Sequence, residues 1–252
     1  MEPCKFAAFA LILLTTTSAY AEDLVTDRPD ATESSSAVAP GLVQVETGFQ
    51  ASANAGVSVV ERPLTLFRVG LASFAELRVE PPSMVSLDGA TLFTDPSIGA
   101  KFAGDIGDVS AAGVIVQSSL PVVNAGSGAT LTAIATGATE LGPVSTGINL
   151  GVSFGPITDD GGTQQFEGLA TLAFGYGLSE KVGAFLEGYV TIPEEGEVSP
   201  VIDGGFTYVL APWIQLDAYG GAGLTRAAPD WLAGGGVSVR LPLIQAENES
   251  GE

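Results

Sequence analysis

The sequence predicts an all-β protein, an antiparallel up-and-down transmembrane β-barrel of about 12 strands. Three observations carry that expectation. Hydrophobic residues make up 46% of the chain and mean hydropathy is +0.36, yet the net charge is −20 and 33 of 252 residues are glycine. Disordered chains pair high charge with low hydrophobicity, and each glycine inside a helix costs about 1 kcal/mol, so neither class fits. Short segments with period-2 alternation follow one another from residue 42 onward. Long and short connections alternate between them.

Residues 1–21 read as a signal peptide. Lys5 precedes the apolar run Phe6 to Leu14, and Ala19-Tyr20-Ala21 offers a small-x-small cleavage site. The run is shorter than the roughly 20 apolar residues a membrane helix needs. Cys4, the single cysteine, lies in this leader, so a disulfide framework is excluded. Residues 22–41 form a polar lead-in, periplasmic or lumenal, with no strand or helix period. It carries Asp27, Arg28, Asp30 and Glu33, with Pro29 stiffening its centre.

The barrel is expected over 42–241. Its strands are placed near 42–51, 62–70, 73–80, 94–103, 110–120, 128–139, 144–154, 164–176, 181–191, 200–210, 213–222 and 231–241. The seventh alternates most cleanly, with Val144, Thr146, Ile148, Leu150, Val152 and Phe154 on one face and Asn149 on the other. In the sixth, Thr130, Thr132 and Ile134 share a face, so its inner side stays open. Residues 242–252 form an acidic tail. Long connections are expected after strand one and near 81–93, 121–127, 155–163, 192–199 and 223–230; short ones near 71–72, 104–109, 140–143, 177–180 and 211–212. A soluble sandwich has no reason to alternate in this way. An outer-membrane barrel does, with short periplasmic turns and longer outer loops. Membrane strands need about 9–11 residues, and closure satisfies every backbone group in lipid. An even strand count puts both termini on the periplasmic side of a bacterial outer membrane.

If the apolar faces meet lipid, parity sends Glu46, Arg68, Glu76, Arg78, Glu80, Lys101, Gln117, Asn149, Glu167, Glu187, Asp203, Asp217 and Arg240 to the lumen. Those seven acids and four bases predict a weak cation preference. Arg28 is expected to pair an inward acid such as Glu46, Glu76 or Glu187. Phe74, Phe93, Phe154, Tyr176, Trp213 and Trp231 fall near strand ends, where interfacial aromatics sit. Asp88, Asp159, Asp160, Glu194, Glu195 and Glu197 read as solvated loop acids without EF-hand spacing, so no metal and no cofactor is expected. The chain has no histidine, which removes Ser-His and Cys-His catalysis and leaves no catalytic residue to nominate. Its acidity opposes nucleic-acid binding.

Two stretches carry a family resemblance. One is Thr26-Asp27-Arg28-Pro29-Asp30 with Thr32-Glu33-Ser34, followed by Pro40-Gly41 and Val45-Glu46-Thr47-Gly48. The other is DGGFTYVLAPWIQLDAYGGAGLT followed by DWLAGGGVSVRL, supported by the hairpins LFRVGLASFAELRVE and LAFGYGLSEKVGAFLEGYV. The chain resembles the meta-pathway phenol-degradation family of outer-membrane proteins over about residues 26–241. The resemblance implies a β-barrel transporter or channel for small molecules, aromatic or hydrophobic ones among them. Its expected partners are outer-membrane lipid, small-molecule solutes and the barrel assembly machinery. The alternative is a non-conducting barrel with a structural or adhesive role. The chain departs from the common barrel ending on an aromatic, continuing past Leu241 into Pro242-Leu243-Ile244-Gln245 and ENESGE.

Overall fold

Side-chain alternation is resolved mainly in one sense: most large apolar groups of the strands point outward and most strand charges inward. In the computed structural model the described residues are 24–157 and 165–243. The expected signal peptide, the loop acids Asp159 and Asp160, and the tail beyond Leu243 lie outside them. The strands are β1 (Leu42–Asn54), β2 (Val57–Ala72), β3 (Ala75–Glu80), β4 (Met84–Leu87), β5 (Ala90–Phe93), β6 (Ser97–Asp105) and β7 (Ser110–Ser119). They continue with β8 (Ala129–Leu141), β9 (Val144–Ile157), β10 (Gln165–Gly177), β11 (Val182–Pro193), β12 (Ser199–Ala211), β13 (Ile214–Gly223) and β14 (Trp231–Pro242). All pairings are antiparallel between sequence neighbours, except that β3 pairs β6, β4 pairs β2, and β1 closes on β14. Twelve strands therefore form the closed barrel, and β4–β5 is a hairpin set into its wall.

Two expectations about connections are corrected. The long gap after the first strand is a two-residue turn, Ala55–Gly56, with φ of 49° and 84°. Positive φ at both centres matches the twist of a hairpin. The alternation fails there because the ladder shifts register: Gly48 faces Leu64 while Gln50 faces Glu61, so Arg62 and Pro63 bulge opposite Phe49. The second correction concerns 81–93, read as a loop. Pro81 and Pro82 lack the N–H donors that would continue β3, and the chain instead folds into β4–β5 around Asp88–Gly89. β4 then takes the place of β3 beside the first half of β2, with Val59 opposite Leu87.

The outer surface carries Phe102, Val116, Leu131, Ile148, Leu150, Phe174, Leu186, Ile202 and Phe206, all exposed. Leu150 is 61% exposed, whereas its neighbour Asn149 is fully buried. That inversion of a soluble core is the signature of a membrane barrel. The sixth strand's ambiguity is settled by burial: Ile134 and Thr136 face inward and Leu131 outward.

Candidate functional site: a segment seated inside the barrel

Residues 24–41 form no strand, yet Asp27, Thr32, Ser35 and Val38 are buried. The segment crosses the barrel interior and is held by side chains from at least nine wall strands. Such a backbone, bonded in no ladder, requires donors and acceptors from the wall.

At its start, the Val25 carbonyl accepts bonds from Gln44 Nε2 (2.8 Å) and Arg68 Nη1 (3.2 Å). Asp27 and Arg28 donate their backbone N–H groups to the Glu46 carboxylate at 3.0 and 2.9 Å. The Arg28 guanidinium then reaches across to Asp217, donating at 3.0 and 3.3 Å in a forked geometry. It lies on a glycine floor: an ideal Cβ at Gly48 or Gly236 would stand 2.6 or 2.7 Å from guanidinium nitrogens. Arg28 thus pairs Asp217 by its side chain, not Glu46, Glu76 or Glu187. Periodicity places acids on the inner face but does not say which one a non-periodic segment will meet.

The middle of the segment meets the far wall. Ala31 N–H donates to Glu187 Oε2 at 2.7 Å, and Thr32 Oγ1 bonds both Glu187 and Thr171. Asn149, in the amide orientation that satisfies both sides, accepts from Glu33 N–H (2.6 Å) and donates to the Glu33 carbonyl (3.2 Å). Ser35 Oγ donates to Thr136 Oγ1 at 3.0 Å. On the return, Arg68 Nη2 donates to the Ser36 carbonyl and Val38 N–H to Glu76 Oε2 (2.7 Å). Gly70 accommodates this return, because a Cβ there would lie 2.0 Å from the Ala39 carbonyl oxygen.

A buried ionic cluster surrounds Asp27. Its carboxylate accepts from Arg78 at 2.5 Å and from Lys101 at 2.7 and 2.8 Å, with Arg68 3.4 Å away. Ser34 donates to it through N–H and hydroxyl. Arg78 Nη2 donates to both carboxylate oxygens of Glu33 at 2.9 and 3.0 Å, while Arg68 bridges Glu46 (3.0 Å) and Glu76 (2.8 Å). Leaving any of these ions bare would cost several kcal/mol, so the segment and wall complete one another.

Of the residues assigned to the inner face, Glu46, Arg68, Glu76, Arg78, Lys101, Asn149, Glu187, Asp203, Asp217 and Arg240 are buried. Arg240 donates to Gln44 across the β1–β14 seam at 3.0 Å. Asp203 stands opposite Glu187 in the β11–β12 ladder, while Glu80 is half-buried and accepts from Ser97 Oγ at 2.6 Å. Glu167 is exposed, opposite Pro193 near a barrel mouth, away from the cluster. The sequence reading left Gln44, Gln215, Thr136 and Thr171 out of the site. Gln44, Thr171 and Gln215 share parity with charges already counted on their strands, whereas Thr136 lies on the sixth strand, where no charge marks the inner face.

The segment has cavities on both sides. One of about 320 Å³ is bordered by Asp30, Ser145, Gly175 and Phe185, towards the mouth of short turns. Another of about 310 Å³ lies towards the opposite mouth, bordered by Arg28, Glu61, Leu64, Leu66, Glu80 and Asp95.

Solved structures with this architecture include an outer-membrane channel of the COG4313 group from Pseudomonas putida F1. It is 13% identical, with a TM-score of 0.64, covering 82% of this chain and 98% of that one. The NanC porin aligns at 9% identity and a TM-score of 0.57, covering 79% and 100%. The translocator domain of the autotransporter NalP from Neisseria meningitidis aligns at 16% and 0.53, covering 81% and 90%. These likenesses establish the fold, that of outer-membrane β-barrels. No curated protein matches the chain. A family model matches residues 26–241, spanning the interior segment and the whole barrel, and the chain belongs to the family it describes, Putative MetA-pathway of phenol degradation.

Proposed function

We propose that the protein is an outer-membrane channel for small molecules with aromatic or otherwise apolar bodies, closed in its resting state by residues 24–41. The observation that carries this reading is the seated segment itself. It is irregular backbone held by side-chain bonds, with a cavity of about 300 Å³ on either side. A wall built only for stability would fill that space with strand side chains, as small barrels do. A segment outside the β-ladder can leave without breaking the barrel, because strand pairing closes without it. The expected location is the bacterial outer membrane, with both chain termini periplasmic and the segment entering from that side.

Single-channel conductance in planar bilayers tests the reading. Deleting residues 22–36 should raise potassium chloride conductance several-fold over the full chain. The open lumen should prefer cations weakly, less so at 1 M salt where the screening length is about 3 Å. Equal, near-zero conductance of both forms would favour the non-conducting structural barrel.

A further inference from the structure

Three long cations are collected on one arc of the wall, and the wall alone does not satisfy all of them. Arg68 is held by the strand residues Glu46 (3.0 Å) and Glu76 (2.8 Å). Lys101 differs. Its close partners are Asp27 at 2.7 and 2.8 Å and Ser34 Oγ at 3.2 Å, all in the interior segment. The nearest strand carboxylate to it, Glu76, stands at 3.9 Å. Arg78 is shared, with Asp27 at 2.5 Å, Glu33 at 2.9 Å and Glu76 at 3.2 Å.

The register places an apolar arc beside these cations. Ile115 is directly opposite Lys101, and Ile134 directly opposite Ile115; both are buried on the inner face. Ile134 and Leu169 converge over Gly151, where a Cβ would lie 3.2 and 3.3 Å from them. The inner wall therefore offers two cations and, next to them, aliphatic surface.

We propose that Arg78 and Lys101, with Ile115 and Ile134 beside them, form a binding subsite for a small organic anion. Its ligand has a carboxylate head and an apolar body, and Asp27 occupies the head position from within the chain in the closed state. This inference rests on the channel reading above and names the solute class that channel serves. When the segment withdraws, Lys101 keeps no close carboxylate, and a buried ion without a partner is strongly unfavourable. A solute carboxylate restores what Asp27 supplied, and its body covers Ile115 and Ile134. A neutral solute of the same size restores nothing at Lys101. Because the solute and Asp27 compete, its apparent affinity is reduced by the small fraction of molecules whose segment is withdrawn.

The test uses refolded protein, with benzoate and benzyl alcohol as probes and titration calorimetry as readout. Weakening the internal occupant with Asp27→Asn and Glu33→Gln should tighten benzoate binding about tenfold or more by enlarging the competent fraction. Benzyl alcohol binding should not change. Adding Lys101→Met to that variant should return benzoate to wild-type affinity or below. Equal gains for both probes, or no gain for benzoate, would overturn the subsite. If the double variant fails to reach the heat-resistant folded form, wild-type protein carrying Ser35→Cys serves instead. Benzoate should then speed maleimide labelling of the cysteine and benzyl alcohol should not; identical rates overturn the proposal. Potassium chloride conductance recorded in parallel separates the two readings. Conductance without benzoate discrimination removes the subsite alone, and benzoate discrimination without conductance removes the channel alone.

Discussion

Gly147 shows how narrowly the interior segment is accommodated. A Cβ built there meets one group within 4 Å, Thr32 Cγ2 at 2.9 Å, so added bulk presses on the segment and on nothing else. Gly147→Val should therefore leave the barrel folded and raise potassium chloride conductance. Crowding of this kind costs about 1–3 kcal/mol, and conductance together with the gel mobility of unheated protein reports both effects. Arg68 makes the opposite case, a side chain the wall needs. Arg68→Met takes the nearest cation from both Glu46 and Glu76 in a buried site, and removing one partner from such a cluster costs about 3–5 kcal/mol. Urea unfolding of the refolded barrel should show a loss of that size. The inward direction of Arg68 and both glutamates was legible from parity. The partner of Arg28 was not, because Asp217 is 189 positions away in sequence and meets it only through barrel curvature.

Strands were legible wherever one face is apolar. β9 and β10 match the sequence expectation closely, because Ile148, Leu150, Leu172 and Phe174 must face lipid and any slip would turn them inward. Leu150→Lys should accordingly cost about 2–4 kcal/mol at mid-membrane, measured as vesicle folding equilibrium against urea. The β1–β2 turn was hidden by the bulge at Arg62–Pro63, and β4–β5 by its paired prolines, since each breaks the period that marks a strand. Beside that hairpin, Asp95 fastens the β7–β8 connection. It accepts N–H bonds from Val123 (2.8 Å) and Asn124 (3.0 Å) and a further bond from Ser127 Oγ. The Asn124 N–H, more than any other group, holds the Asp95 carboxyl below its ordinary value. A lowered acid contributes order that is complete above its ordinary range and lost as pH falls through its shifted value. Hydrogen exchange at Val123 and Asn124 should therefore be protected at neutral pH and accelerate, relative to the intrinsic rate, in acid.

At the scale of the whole molecule, orientation follows from the two mouths. A cysteine at Asp88, in the β4–β5 turn, should label from outside intact cells, and one at Ser179, in the short β10–β11 turn, should not. Labelling in the reverse sense would invert the proposed topology. The seat of the interior segment also has a consequence for assembly. Gln44 stands at the junction of three things: it receives Arg240 from β14, holds Glu46 beside it on β1, and donates to the Val25 carbonyl. The latch between first and last strand and the first anchor of the interior segment are thus one residue. Closing the β1–β14 seam therefore also fixes the amide that receives the segment, and the segment, bonded in no ladder, can take or leave that seat through a mouth of the closed barrel.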